Sequence, residues 1–175
     1  MPGMKNDIIT FALPISTTDG DFVARFSEKG LCGLEFPGRA GRRRNRNRAA
    51  QLPPQIRRWH ALTTQALKHA LSGRRPKTLP PLDLSSGTRF QQAVWRALRR
   101  IAPGRTRSYA EVAHAIGRVR AMRAVGGACG ANPIPVFIPC HRVIAADGGL
   151  GGFSSGLDWK RKLLAREGIR PQEPR

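Results

Sequence analysis

The chain has 175 residues, of which 31 are Lys or Arg and 11 are Asp or Glu, giving a formal net charge of +20. Such a field favours polyanionic partners, nucleic acid ahead of an anionic membrane surface, with association that weakens steeply in salt. No apolar run approaches the roughly 18 residues of a membrane span and the N-terminus lacks a signal-peptide pattern. The three cysteines, Cys32, Cys129 and Cys140, never stand in CxxC spacing, which excludes a disulfide framework and a four-thiolate zinc site. The expectation is a cytoplasmic protein, nucleoid-associated if prokaryotic, with free thiols.

Residues 8 to 36 read as short antiparallel strands. "IITFALPIS" and "FVARFSEKGLCGLEF" flank the turn "TTDGD", and Ser-Glu-Lys-Gly supplies a second turn. The arginine-rich stretch 39–48 has little apolar content and reads as an exposed loop, either a solvated charge run or a DNA-contacting arm. From Gln55 to Leu71, Ile56, Trp59, Leu62, Thr63, Ala66, Leu67 and Ala70 recur at helical spacing, and Gly73 is placed to end the helix. "SGRRPKTLPPLDLSSG" then lacks periodicity and suits a boundary near residue 80, giving units 1–80 and 81–175.

The second unit begins with Thr88 as N-cap and Gln91 three residues later, a capping-box pattern, with Phe90, Val94, Leu98 and Ile101 on one helical face. "SYAEVAHAIG" predicts a helix capped by Ser108 with Val112, Ala113 and Ile116 inward and Gly117 closing it. After "RVRA" a third helix runs from Met122 to about Ala131, so the pair has helix-turn-helix spacing. On this helix Arg123, Gly126, Gly127 and Gly130 share one face and Val125, Ala128 and Cys129 another. Each outward glycine costs about 1 kcal/mol against alanine, which calls for a surface that approaches closely. Arg123 leads that face and is either a solvated cation or a group reaching into a duplex. Cys129 reads as a buried thiol.

In "PIPVFIPCHRV", prolines 133, 135 and 139 predict an extended segment that presents Cys140 at a fixed turn. Cys140 is a candidate nucleophile, a metal ligand or a small buried hydrophobe. A proton acceptor or cation nearby would raise its thiolate fraction. Neighbours in an extended segment point opposite ways, so His141 needs a bend or a bridging water to serve the sulfur. In "SGLDWKRKLLAREGIR", Trp159, Leu163 and Glu167 fall at i, i+4 and i+8 with Leu164 beside them, and Gly168 stops the helix. Glu167 then either snorkels to solvent or turns inward and accepts from one imidazole nitrogen of His141, leaving the other basic.

These residues closely resemble the O6-alkylguanine-DNA alkyltransferases, or methylated-DNA–protein-cysteine methyltransferases. The match runs from about Gly87 to Gly168 through "GTRFQQAVWRAL", "SYAEVAHAIG", "RAVGGACGANPIPVFIPCHRV" and "KRKLLAREG", and less distinctly through the N-terminal strands. The resemblance implies an α+β chain: an N-terminal small antiparallel sheet with a helix, ribonuclease H-like, and a C-terminal, mainly helical, winged-helix-like unit.

It further implies that Cys140 takes the alkyl group from O6-alkylguanine, and from O4-alkylthymine, in DNA. His141 would deprotonate the thiol through a water and be polarised by Glu167, Asn132 would brace the turn, and Tyr109 would donate to the base as negative charge develops on it. Backbone groups at Cys140, Val143 and Ser154 would hold the base, with Pro135 and Phe153 lining the pocket. The helix-turn-helix would lie in the minor groove of double-stranded DNA through Gly126, Gly127 and Gly130, with Arg123 filling the stack behind a flipped guanine. The resemblance implies a monomer with no cofactor and no metal. The product thioether is not hydrolysed under mild conditions, so each molecule is expected to act once.

Residue 153 is Phe where many members carry Tyr, and Cys32 with His60 and His69 does not give the zinc ligand set of some members. A non-catalytic DNA-binding protein and a cysteine hydrolase are the competing classes. The first leaves the Pro-Cys-His turn unexplained, and the second gives Arg123 and the glycine face no role.

Overall fold

The computed structural model describes residues 10–38 and 52–170. The arginine-rich stretch 39–48 and the start of the first predicted strand lie outside the described residues. The sheet comprises β1 (Phe11–Thr17), β2 (Gly20–Ser27) and β3 (Gly30–Glu35), antiparallel in that order, with a bulge between Arg25 and Phe26. Alternation sets its inner face: Phe22, Ala24 and Phe26 of β2 are buried while Asp21 and Arg25 are exposed. Helix α1 (Pro54–Leu71) covers the sheet with Ile56, Trp59, Thr63, Ala66 and Leu67, and Pro54 suits the first helical position, where no N–H is needed. Leu62 and Ala70, expected on the same face, are half-buried at its margin.

The edge of β3 is not left open. Leu31 N–H donates to the Pro81 carbonyl and the Leu31 carbonyl accepts from Asp83 N–H, both at 2.8 Å, and Leu34 N–H donates to the Pro133 carbonyl at 2.9 Å. A sheet edge of this kind is a template for further backbone, and the second half of the chain supplies it.

Helices α2 (Arg89–Leu98), α3 (Tyr109–Ala115) and α4 (Met122–Gly130) pack on one another. Both expected N-caps are present as complete capping boxes, Thr88 with Gln91 and Ser108 with Glu111. Trp95 joins Val94 and Leu98 in the core, and its indole N–H donates to the Ala128 carbonyl at 2.8 Å, tying α2 to α4. A short parallel pair that the sequence pattern does not announce, β4 (Arg107–Ser108) with β5 (Val143–Ile144), joins the start of α3 to the segment after Cys140.

The last helix, α5 (Leu157–Arg166), is fastened to the N-terminal unit at two places. Asp19, in the β1–β2 turn, accepts from Arg166 at 2.6 and 2.8 Å and pairs with Lys162 at 2.7 Å. The Arg166 hydrogen bond holds its carboxyl at about 2. Gly73, just past α1, adopts φ +75° with its Cα so close to the Arg166 carbonyl that a Cβ would lie 2.0 Å from the oxygen. Only glycine combines that backbone with that approach. Among the described residues no helix is long and apolar enough to cross a membrane.

Candidate active site

Cys140 opens a 3-10 turn, Cys140–Arg142, and is 3% exposed. The segment before it is not extended, contrary to the expectation from its prolines. Asn132 folds it: the side-chain oxygen accepts from Ile134 N–H at 3.0 Å, while the amide nitrogen donates to the Ile138 carbonyl at 2.8 Å and to Cys140 Sγ at 3.1 Å. Ile138 N–H returns to the Ile134 carbonyl at 2.9 Å, closing a compact loop in which Val136 has φ +77°. A β-branched residue in that region stores about 1–3 kcal/mol of strain, which the buried surroundings of Pro135, Phe137 and Ile138 must hold in place. The turn also supplies the bend that adjacency alone could not.

Burial pushes the Cys140 thiol up, and the Asn132 amide and the Lys160 charge pull it only part of the way back. The nearby cation acts in the expected direction, but burial outweighs it. The sulfur waits as a neutral thiol and needs a base.

His141 has the geometry of one. Its Nε2 lies 2.9 Å from Glu167 Oε1, with side chains 1% and 4% exposed, and its Nδ1 is buried with no hydrogen-bond partner among the described residues. Burial lowers the His141 pKa, and the hydrogen bond to Glu167 opposes that shift. Burial raises Glu167, but hydrogen bonds from His141 and Arg142 outweigh it and hold the carboxyl at about 2. The pair is thus a carboxylate beside a neutral imidazole that donates through Nε2, so Nδ1 carries the lone pair. Inward placement of Glu167 settles the choice left open by its spacing.

Two cations join the site that are not among the residues singled out from the sequence. Arg142 donates to both oxygens of Glu167 and to the Ile101 carbonyl, while Gly104 N–H donates to Glu167 Oε2 at 3.3 Å. Lys160 is fully buried, its Nζ donating to the carbonyls of Val143 at 2.6 Å, Gly152 at 3.2 Å and Leu150. Burial lowers its pKa to about 8. Its signal was available: Lys160, Leu163, Leu164 and Glu167 follow i, i+3, i+4, i+7, the true buried stripe of α5. Trp159 stands at the flank instead, against Phe36 and Phe22.

Tyr109, half-buried at the start of α3, sits between α4 and the glycine-rich loop after β5. A Cβ at Gly126 would be 3.8 Å from its ring and one at Gly151 2.8 Å from its hydroxyl. Burial raises its pKa. Gly126 is accordingly half-buried, whereas Gly127 and Gly130 are exposed with open space around them and Arg123 is exposed beside them. Val125, Ala128 and Cys129 are buried, as their face requires. Phe153 leans edge-on against Phe36 at 6.0 Å, so the N-terminal unit supports the loop that carries Phe153 and Ser154. The Val143 carbonyl already accepts from Lys160, leaving one lone pair for any other donor. Cys32 donates to the Arg25 carbonyl and His60 Nε2 lies 3.0 Å from the Pro14 carbonyl. Among the described residues no three His, Cys, Asp or Glu side chains come together as metal ligands.

Residues 89–169 match the family model described as 6-O-methylguanine DNA methyltransferase, DNA binding domain. The chain is 53% identical over 92 residues to the bifunctional transcriptional activator/DNA repair enzyme Ada of Escherichia coli, covering 53% of this chain and 25% of that one. It therefore spans about a quarter of that relative's length. The crystal structure of Mycobacterium tuberculosis OGT in complex with DNA superposes with a TM-score of 0.71 at 35% identity, over 88% of this chain and 90% of that one. With the methylated-DNA–protein-cysteine methyltransferase of Methanosarcina barkeri, identity is 40% over 156 residues, 87% of this chain and 94% of its relative. Identity at this level over nearly the whole of both chains makes this protein a member of the methylated-DNA–protein-cysteine methyltransferase family.

Proposed function

We propose that this protein repairs DNA by taking the alkyl group of O6-alkylguanine, and of O4-alkylthymine, onto Cys140 and keeping it. The observation that carries the reading is the buried relay: a thiol held by Asn132, an imidazole with a bare Nδ1, and a carboxylate fixed on its Nε2. The Cys140 proton passes to His141 Nδ1 through a water, and Glu167 stabilises the imidazolium that results. The sulfur then attacks the alkyl carbon as the carbon–oxygen bond breaks, and the electron pair stays on the base. Tyr109 donates to that base as its charge grows. The thioether has no route back to a thiol, so the reaction is stoichiometric.

DNA-binding roles follow the same family. The open face of Gly127 and Gly130, with Gly126 at its margin, lies in the minor groove of double-stranded DNA, and Arg123 occupies the stack from which the base is flipped. Pro135, Val143, Phe153 and Ser154 shape the base pocket. Units 1–80 and 81–175, a ribonuclease H-like sheet with its helix and a winged-helix-like α2 to β5, divide the work between support and chemistry. The capped helix α3 with α4 packed against it, and the short β4–β5 pairing, support that division. Burial of Cys140 disfavours a hydrolase turning over free substrates.

The test is mass spectrometry after incubation with an O6-methylguanine duplex. One methylene is added to the peptide containing Cys140, and uptake stops at one equivalent. Methyl on another residue, or continued turnover, would overturn the reading.

A further inference from the structure

We propose that the groove between α2 and α3 holds the sugar–phosphate backbone of a second duplex segment, separate from the one engaged by α4. The proposal rests on the reading of the chain as a DNA alkyl acceptor and adds a surface to it. A cavity of about 750 Å³ opens there, lined by Arg100, Arg105, Arg107, Glu111 and His114 over a floor that includes Ile101. Its volume is in the range that takes a small-molecule-sized group rather than a lone ion. No residue of α4 lines it, and neither does Cys140, His141 or Tyr109. Because α2, α3 and α4 pack pairwise, a groove built from two of them opens on the side the third does not occupy.

The charges in the groove are unevenly committed. Glu111 is taken up by Arg107 and by Ser108 N–H, both at 2.7 Å. Arg100 and Arg105 have no side-chain hydrogen bond or ion pair among the described residues. Arg89 and Arg96 stand at i and i+7 on one exposed face of α2, about 10 Å apart along its axis, and exposed Arg100 follows in the turn after the helix, so the cations lead into the groove. Guanidinium forks on a concave surface suit phosphate oxygens. The α4 face presents Arg123 with Arg118 and Arg120 just before it, and Arg89, Arg96, Arg100 and Arg105 are exposed outside that face. Duplex DNA is the polyanion this protein meets at high local concentration whenever α4 is seated.

The test uses the full chain, a bead-bound duplex and a labelled duplex in solution. Arg100→Gln with Arg105→Gln is compared with Arg57→Gln with Arg58→Gln, which removes equal charge from the exposed side of α1. The unmodified chain carries labelled duplex onto the beads. The groove variant loses about tenfold of that retention, and its salt slope falls by about 2, near 0.9 for each phosphate no longer neutralised. The α1 variant retains it. Equal losses in both variants, unchanged retention in the groove variant, no retention by the unmodified chain, or competition by polyglutamate as effective as that by duplex would each overturn the proposal. Methyl transfer to Cys140 on one short duplex is followed in parallel and stays within about twofold in both variants. Its absence from all three proteins sinks the alkyl-acceptor reading instead, and retention still reports on the groove.

Discussion

The guanidinium of Arg142 spans the carboxylate of Glu167, Nε 3.0 Å from Oε2 and Nη2 2.9 Å from Oε1. Glu167 thereby faces His141 with no freedom to turn away. Arg142→Met should slow alkyl transfer by about 10- to 100-fold, a share of what a positioned base contributes, and cost about 3–5 kcal/mol of stability by leaving a buried carboxylate short of its cation. Single-turnover rates and urea unfolding on the same preparation separate the two effects, and an unchanged rate would remove Arg142 from the relay.

The pH dependence of transfer should follow His141. Its pKa lies below the ordinary 6.5 because of burial, with Glu167 pulling upward, so the rate holds through neutrality and falls only as the imidazole is protonated in mild acid. Glu167→Gln removes the upward pull. The fall then moves to still lower pH and the plateau drops by about 10²-fold or more. A fall that moves to higher pH in this variant contradicts the assignment.

Stability depends on the carboxylate as well. Glu167 is held at about 2 against an ordinary 4.5, a depressed folded-state value, so it contributes about 3 kcal/mol that is fully present above the unfolded pKa and lost as pH falls from about 4.5 toward 2. His141, also depressed, makes stability decline as pH falls through 6.5. Unfolding free energy should therefore drop as pH falls below about 6.5 through the histidine and again below about 4.5 through Glu167 and Asp19. Glu167→Gln shrinks the second step to the share of Asp19, whose carboxyl Arg166 also holds at about 2.

Lys160 clamps the carbonyls of Val143, Leu150 and Gly152. Lys160→Met relieves a buried charge but strands three acceptors at about 1–3 kcal/mol each. Amide exchange in residues 148–156 should accelerate and alkyl transfer should fall, while duplex affinity stays within about twofold. Loop exchange at its present rate in Lys160→Met would show that the clamp is dispensable.

Gly127 offers a test in which stability and binding part company. Nothing lies within 4 Å of a Cβ built there, so Gly127→Ala should stabilise the free protein by up to about 1 kcal/mol. Gly127→Leu with Gly130→Leu should weaken duplex binding by about tenfold, or 1.4 kcal/mol, with the fold intact by calorimetry. Full binding by the leucine variant argues against close approach of DNA to this face.

Local signals carried far in this chain. Thr88 with Gln91 and Ser108 as cap announce two helices correctly because capping is settled within four residues. The alternation in β2 and the 3.6-residue period in α1 do the same for the sheet and its cover. The spacing that turns Glu167 inward was readable too. What stayed hidden depends on parts distant in sequence. Arg142 follows His141 with no periodic pattern, and its importance exists only because Ile101 and Glu167 arrive beside it. Lys160 lies within "KRK"; its place on the buried stripe of α5 was readable, but the three carbonyls that enclose it were not. The prolines before Cys140 argue for extension, but one side chain, Asn132, satisfies the backbone in a folded loop and overrides them.

The fastening of α5 gives the N-terminal unit a part in the chemistry it never touches. Asp19 grips Arg166 and Lys162, and Gly73 abuts the Arg166 carbonyl, one residue before Glu167. Together they act as a mechanical lever on the end of the helix from which Glu167 reaches for His141. If His141 is the base, its strength is then open to adjustment from positions 19 and 73, which anchor the helix end that carries Glu167 without touching any atom near the sulfur.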